Sequence, residues 1–139
     1  MIGMVLVTHG MLANALRDAM EHVVGKQQNL ATVCIESDAE FEGQRAEIAR
    51  RMAEVNTGDG VILLTDMFGG TPSNLAMSMA TQPGVEIIGG VNLPMLVKLA
   101  KIRGQETLAE AVQHAEAAGR KYICSGHDIL PQQPCRAAE

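Results

Sequence analysis

The chain has 139 residues, a formal charge of −5 and 47% hydrophobic residues, enough for one domain that buries its own core without staples. No apolar run reaches the length of about 18 residues that a membrane span needs. With 2% aromatics and no basic cluster, the chain also lacks the charge footprint and stacking platform of a nucleic-acid binder. An acidic surface suits solubility or a basic protein partner. The first residues, MIGMVLV, have neither a basic n-region nor a small-residue cleavage site, so a cytoplasmic protein is expected. Cys34, Cys124 and Cys135 show no CxxC spacing and an odd count, which argues against a disulfide framework and a structural zinc site. Cys34 and Cys124 read as buried strand residues.

Strand-sized apolar runs alternate with helical patterns in chain order. MVLV near residue 5 is a first strand. Leu12, Ala15, Leu16, Ala19, Met20 and Val23 then share one helical face, with Gly25 as the stop. LATVCI at 30–35 is a second strand, and the helix from about Ala39 to Val55 should bury Phe41, Ile48, Met52 and Val55. GVILLT at 60–65 is a third strand, followed by a helix that has Thr71 at its N-cap and Pro72 at its first position. VEIIGG at 85–90 is a fourth strand. NLPMLVKLAKIRG and ETLAEAVQHAEAAG read as two more helices, and KYICS as a short last strand. The tail from Gly126 reads as disordered, which makes residues 1–125 one domain and 126–139 a tail. This rhythm predicts an α/β fold, a single doubly wound and mainly parallel sheet with helices on both faces.

In such sheets ligands bind outside the carboxyl ends of strands, where the strand order reverses. The unusual residues gather there: His9 and Gly10 after the first strand, Asp66, Gly69, Gly70 and Thr71 after the third, and Gly89, Gly90 and Asn92 after the fourth. If the order is 2-1-3-4, strands one and three lie about 4.8 Å apart, and His9 and Asp66 can hydrogen-bond. A carboxylate on one imidazole nitrogen fixes the tautomer and leaves the other nitrogen nucleophilic. His9 and Asp66 are therefore the candidate catalytic pair. Gly10, Gly69, Gly70 and Thr71, at two helix starts, are the candidate phosphate-binding residues. Taken singly, His9 and Asp66 read equally as turn or capping residues, and Gly69-Gly70 as a tight turn; it is their gathering at one sheet edge that favours a site. His22, His114 and His127 share no face with metal-ligand spacing, so no metal is expected. Met67 and Phe68, between Asp66 and the glycines, form either an apolar rim for a protein partner or ordinary loop packing.

VLVTHG with His9, LLTDMFGGTPSN with Asp66, and GVNLPMLV resemble three segments of the mannose-type IIA proteins of the bacterial phosphoenolpyruvate-dependent sugar phosphotransferase system. The resemblance runs in order from Met1 to about Cys124. It implies a carrier that takes a phosphoryl group from HPr on Nε2 of His9 and passes it to a IIB partner. Asp66 matches the aspartate that orients the imidazole through Nδ1, and Thr71 the hydroxyl residue near the phosphate. It further implies a homodimer with an exchanged last strand, which KYICS would supply, and no bound metal or nucleotide. Phe68 stands where the best-known transporter members have tryptophan. The chain shows only a IIA-like domain, so its receiver is either a separate IIB component or a regulator.

Three other readings remain beside it. The phosphodonor subunit of dihydroxyacetone kinase shares the fold and the histidine but has serine where this chain has Gly10. A flavodoxin-like protein expects a hydroxyl-rich first loop and flanking aromatics, where this chain offers only Phe41, Phe68 and Tyr122. A regulatory module would bind partners without phosphorylation of His9.

Overall fold

In three of the four strand runs, apolar residues crowd together without a clean alternation, the pattern of a parallel sheet covered on both faces. The computed structural model describes residues 1–36 and 40–130, and in it all four runs are parallel strands: β1 (Gly3–His9), β2 (Leu30–Ile35), β3 (Val61–Thr65) and β4 (Val85–Ile88). They lie in the order β2-β1-β3-β4, the doubly wound arrangement expected.

The two faces of β1 divide the core. Met4 and Leu6 join Ile62, Leu64 and Ile88 under α1 (Leu12–Val24), α4 (Leu93–Ile102) and α5 (Leu108–Lys121). Val5 and Val7 join Val33, Ile35 and Leu63 under α2 (Phe41–Val55) and α3 (Thr71–Met79). Adjacent residues of a strand point to opposite faces, so a continuous apolar run fills both layers. Burying each such side chain contributes about 1.5–3 kcal/mol. At the ends of the helices, Gly25 takes φ +89 after α1, and a capping box of Thr107 and Glu110 starts α5.

Several expectations change. Phe41 is 44% exposed, so the buried stripe of α2 is Ile48, Met52 and Val55; Phe41 sits in the first turn, ahead of the part of the helix that crosses the sheet. Ala39, the expected helix start, lies outside the described residues. KYICS forms no strand: α5 continues to Lys121, and residues 122–125 follow it exposed. A strand exists through its pairing, and no described strand pairs with this segment. Cys124 is accordingly exposed and is disulfide-bonded, against both readings of it, whereas Cys34 is free and half-buried in β2. Gly126–Ile129, at the start of the expected tail, forms a short helix, α6, and the rest of that tail lies outside the described residues.

One buried charge escaped the sequence reading. Arg103, at the end of α4, is 1% exposed, and its guanidinium donates to the carbonyls of Ile2 at 3.2 Å and Asn29 at 3.0 Å, to the Gln28 carbonyl, and to the Gln27 side chain at 3.0 Å. It ties the start of β1 to the turn before β2, where Asn29 has φ +53. Burial lowers its pKa, and no carboxylate pairs with it among the described residues. Arg103→Met leaves these acceptors without their donor and is expected to cost about 3 kcal/mol, read as a lower urea midpoint; an unchanged midpoint would show that water satisfies the carbonyls.

Candidate functional site

From β1 the chain crosses to β2 on one side of the sheet, and from β3 to β4 on the other. The carboxyl ends of β1 and β3 therefore flank the switch point. Val7 pairs with Thr65, so the next residues, Thr8-His9 and Asp66, leave the sheet side by side.

Asp66 Oδ2 lies 2.8 Å from His9 Nδ1 and also accepts the His9 backbone N–H at 3.0 Å, while Oδ1 accepts the Met67 N–H at 3.0 Å. One carboxylate thus holds both the ring and the backbone of the histidine. Burial acts to raise the pKa of Asp66, but the bonds from the His9 backbone, the His9 ring and the Met67 backbone outweigh it and hold the carboxyl below its ordinary 3.8. An ionised carboxylate only accepts, so it selects the tautomer with hydrogen on Nδ1 and leaves the Nε2 lone pair free. The Asp66 side chain is 13% exposed and that of His9 52%, so the carboxylate is shielded while the imidazole is open.

Nε2 faces the start of α3. A methyl group built on Gly70 would lie 2.8 Å from both Nε2 and Cε1 of His9, so the absence of a side chain lets the ring reach the helix end. Gly70, not Thr71, is the N-cap, and Pro72 is the second helical residue, a shift of one position from the sequence reading. The N–H groups of Gly70 and Thr71 have no hydrogen-bond partner among the described residues, and Thr71 is exposed.

The other two glycines expected to bind phosphate through their N–H groups do not offer them. Gly10 has φ +51, but its N–H donates to the Ile35 carbonyl at 3.0 Å. Gly69 has φ +103, a conformation that favours glycine, and its N–H donates to Ser73 Oγ at 3.0 Å. Both serve as turn formers, because backbone donors beside a sheet edge are taken by the nearest acceptor.

Two polar residues of the site were missed from sequence. Thr8, fully buried, accepts the Ala13 N–H at 2.7 Å; it caps α1 from inside the strand, since the N-cap Met11 cannot. Ser73 is 1% exposed and bridges Gly69 and Gly70. A hydroxyl at a core position of a helix start was the signal for Ser73. Asn92 caps α4 by accepting the Met95 N–H at 3.1 Å and donates to the Gly119 carbonyl at 2.9 Å, a structural role. The Phe68 ring covers Gly89, where a methyl group would meet it at 2.4 Å, yet Phe68 and Met67 stay exposed, as do Met11 and Leu12 at the start of α1. His114 pairs with Glu106 at 2.6 Å. Among the described residues no cluster of three or more His, Cys, Asp or Glu could hold a metal, and no helix is long and apolar enough to cross a membrane.

A family model described as PTS system fructose IIA component, of the EIIA-man type, matches residues 3–116. The chain therefore belongs to the mannose-type IIA family of the sugar phosphotransferase system. It is 31% identical over 124 residues to the mannose-specific EIIAB component of Escherichia coli K12, covering 88% of this chain and 38% of that protein. The chain thus spans well under half of that relative. It is 26% identical over 130 residues to the fructose-specific EIIA component of Bacillus subtilis, covering 91% and 89%. Among solved structures, the mannose/sorbose specific IIA subunit from Enterococcus faecalis superposes with a TM-score of 0.78 at 26% identity, over 89% of this chain and 93% of that one. The EIIA component from Streptococcus agalactiae shares the fold with a TM-score of 0.82 at 21% identity, over 90% and 97%.

Proposed function

We propose that the protein is a phosphohistidine carrier that accepts a phosphoryl group from HPr on Nε2 of His9 and passes it to a IIB component or a regulator. The observation that carries this reading is the 2.8 Å bond between Asp66 and Nδ1, which leaves Nε2 unprotonated against the start of α3. The Nε2 lone pair attacks phosphorus, the phosphorus–nitrogen bond to the donor histidine breaks, and its electron pair returns to the donor ring. The Nδ1 hydrogen stays on His9, where the Asp66 carboxylate balances the charge that develops on the ring. Gly70 and Thr71 supply two N–H groups and a hydroxyl for the phosphoryl oxygens. Phosphoryl transfer asks mainly for positioning and charge stabilisation, and these groups supply both.

The exposed setting of His9 favours a protein as donor over a small molecule in a deep pocket. A cleft of about 370 Å³, lined by Phe68, Gly89, Gly90 and Asn92 among others, does not include His9. Met11, Leu12, Met67 and Phe68 give the loops around the pair an apolar collar, suited to a transient protein contact.

Incubation with labelled phosphoenolpyruvate, enzyme I and HPr tests the reading. Acid-labile label is expected on the wild type and none on His9→Ala. If HPr becomes charged and the wild type stays unlabelled, the carrier reading fails and a binding module takes its place.

A further inference from the structure

We infer that Ser73 is a positioning residue for phosphoryl transfer, presetting the Thr71 N–H that receives a phosphoryl oxygen; this rests on the proposed chemistry at His9. Ser73 does not touch His9 or the phosphoryl position, and it acts through the loop in front of α3. Its hydroxyl accepts the Gly69 N–H at 3.0 Å and donates to the Gly70 carbonyl at 2.9 Å, and that carbonyl also accepts the Asn74 N–H at 3.0 Å. A single oxygen therefore ties the peptide that enters Gly69 and the peptide that leaves Gly70 to the first turn of the helix.

The consequence follows from peptide planarity. In a trans peptide the C=O and the N–H point in opposite directions. With the Gly70 carbonyl turned into α3 and held by two donors, the Thr71 N–H must point out of the helix, towards the side where His9 Nε2 meets Gly70. Two glycines in succession make this corner soft, since they have the widest choice of backbone conformations. Without the hydroxyl, the acceptor of the Gly69 N–H and half of the hold on the Gly70 carbonyl are lost, and the Thr71 donor would have to be ordered during the transfer itself. Ser73 is 1% exposed, so water cannot readily replace the hydroxyl.

A purely structural capping role would lower stability and leave the chemistry alone, and the two are separable. We expect Ser73→Ala to lower the transfer rate from HPr at saturating donor by about tenfold. The donor concentration for half-maximal rate should change less than about twofold, because the docking collar is untouched. The Gly69 amide should exchange faster with solvent, and the shift of the Thr71 amide resonance on phosphorylation should shrink. Ser73→Cys, similar in volume and weaker in hydrogen bonding, should fall between the two. An unchanged transfer rate in Ser73→Ala, with the wild type fully labelled, overturns the inference and leaves the carrier reading standing. A wild type that takes no label from charged HPr overturns both.

Discussion

Gly70→Ala is expected to slow phosphorylation of His9 by about a hundredfold while leaving the protein folded. The added methyl would stand 2.8 Å from Nε2 and Cε1 of the imidazole, closer than carbon and nitrogen pack, so the ring must swing away. Any swing that clears the methyl lengthens the 2.8 Å bond to Asp66 and moves Nε2 off the helix start. A displacement of about 1 Å at a reacting atom costs on the order of 10²-fold in rate. The backbone does not oppose the substitution, because Gly70 has φ −111, which alanine adopts freely. The melting temperature is therefore expected to stay within a few degrees, about 1 kcal/mol of change. Acid-labile labelling from charged HPr reads the rate and thermal unfolding reads the fold. Labelling at the wild-type rate would show that the imidazole has a second productive seat, and the geometry assigned to Nε2 would be wrong.

Asp66→Asn tests the other end of the same ring and is expected to slow labelling by about a hundredfold or more. The carboxylate accepts from Nδ1 and from the His9 backbone on one oxygen. An amide has one accepting and one donating end, and when the donating end faces the ring it forces the lone pair onto Nδ1 and the hydrogen onto Nε2, which removes the nucleophile. Even in the other orientation the charge that stabilises the phosphorylated imidazole is gone. The pKa of Asp66 gives a second readout. Because folding lowers it from 3.8, its contribution to stability is present above that value and is lost as the pH falls through the lower folded value. Urea unfolding of the two proteins should show their largest difference near neutral pH and a narrowing gap below the ordinary carboxyl value. A gap that stays constant down to about pH 2 would mean that the bonds to His9 do not favour the ionised form.

The proposed phosphate cradle is smaller than its sequence suggests. Four residues, Gly10, Gly69, Gly70 and Thr71, gather at the sheet edge, but the Ile35 carbonyl takes the Gly10 N–H and Ser73 takes that of Gly69. What is left for a phosphoryl group is Gly70 and Thr71. A motif shows which residues are glycine; it does not show which way each peptide faces, because that depends on acceptors brought in from β2 and from the first turn of α3.

The sequence by itself determined the four strands of the sheet and, once the order is 2-1-3-4, the pair at its centre; the order itself comes from the strand pairing. Continuous apolar runs specify a two-sided parallel sheet whatever surrounds them, and a histidine after the first strand and an aspartate after the third are brought together by the 2-1-3-4 order alone. It also carried the three ordered motifs that place the chain in its family. The tertiary structure alone decided three matters. Arg103 is charged, and nothing local marks it as the cation that ties β1 to the turn before β2; its partners come from up to 101 residues away. KYICS has the composition of a strand, but pairing decides, and none of the described strands pairs with it. Ser73 is an ordinary helix-start hydroxyl until the fold buries it beneath Gly69 and Gly70, the second of which meets His9 Nε2. In each case the local pattern is set by side-chain chemistry, whereas the outcome depends on which distant backbone groups the fold brings within hydrogen-bonding distance.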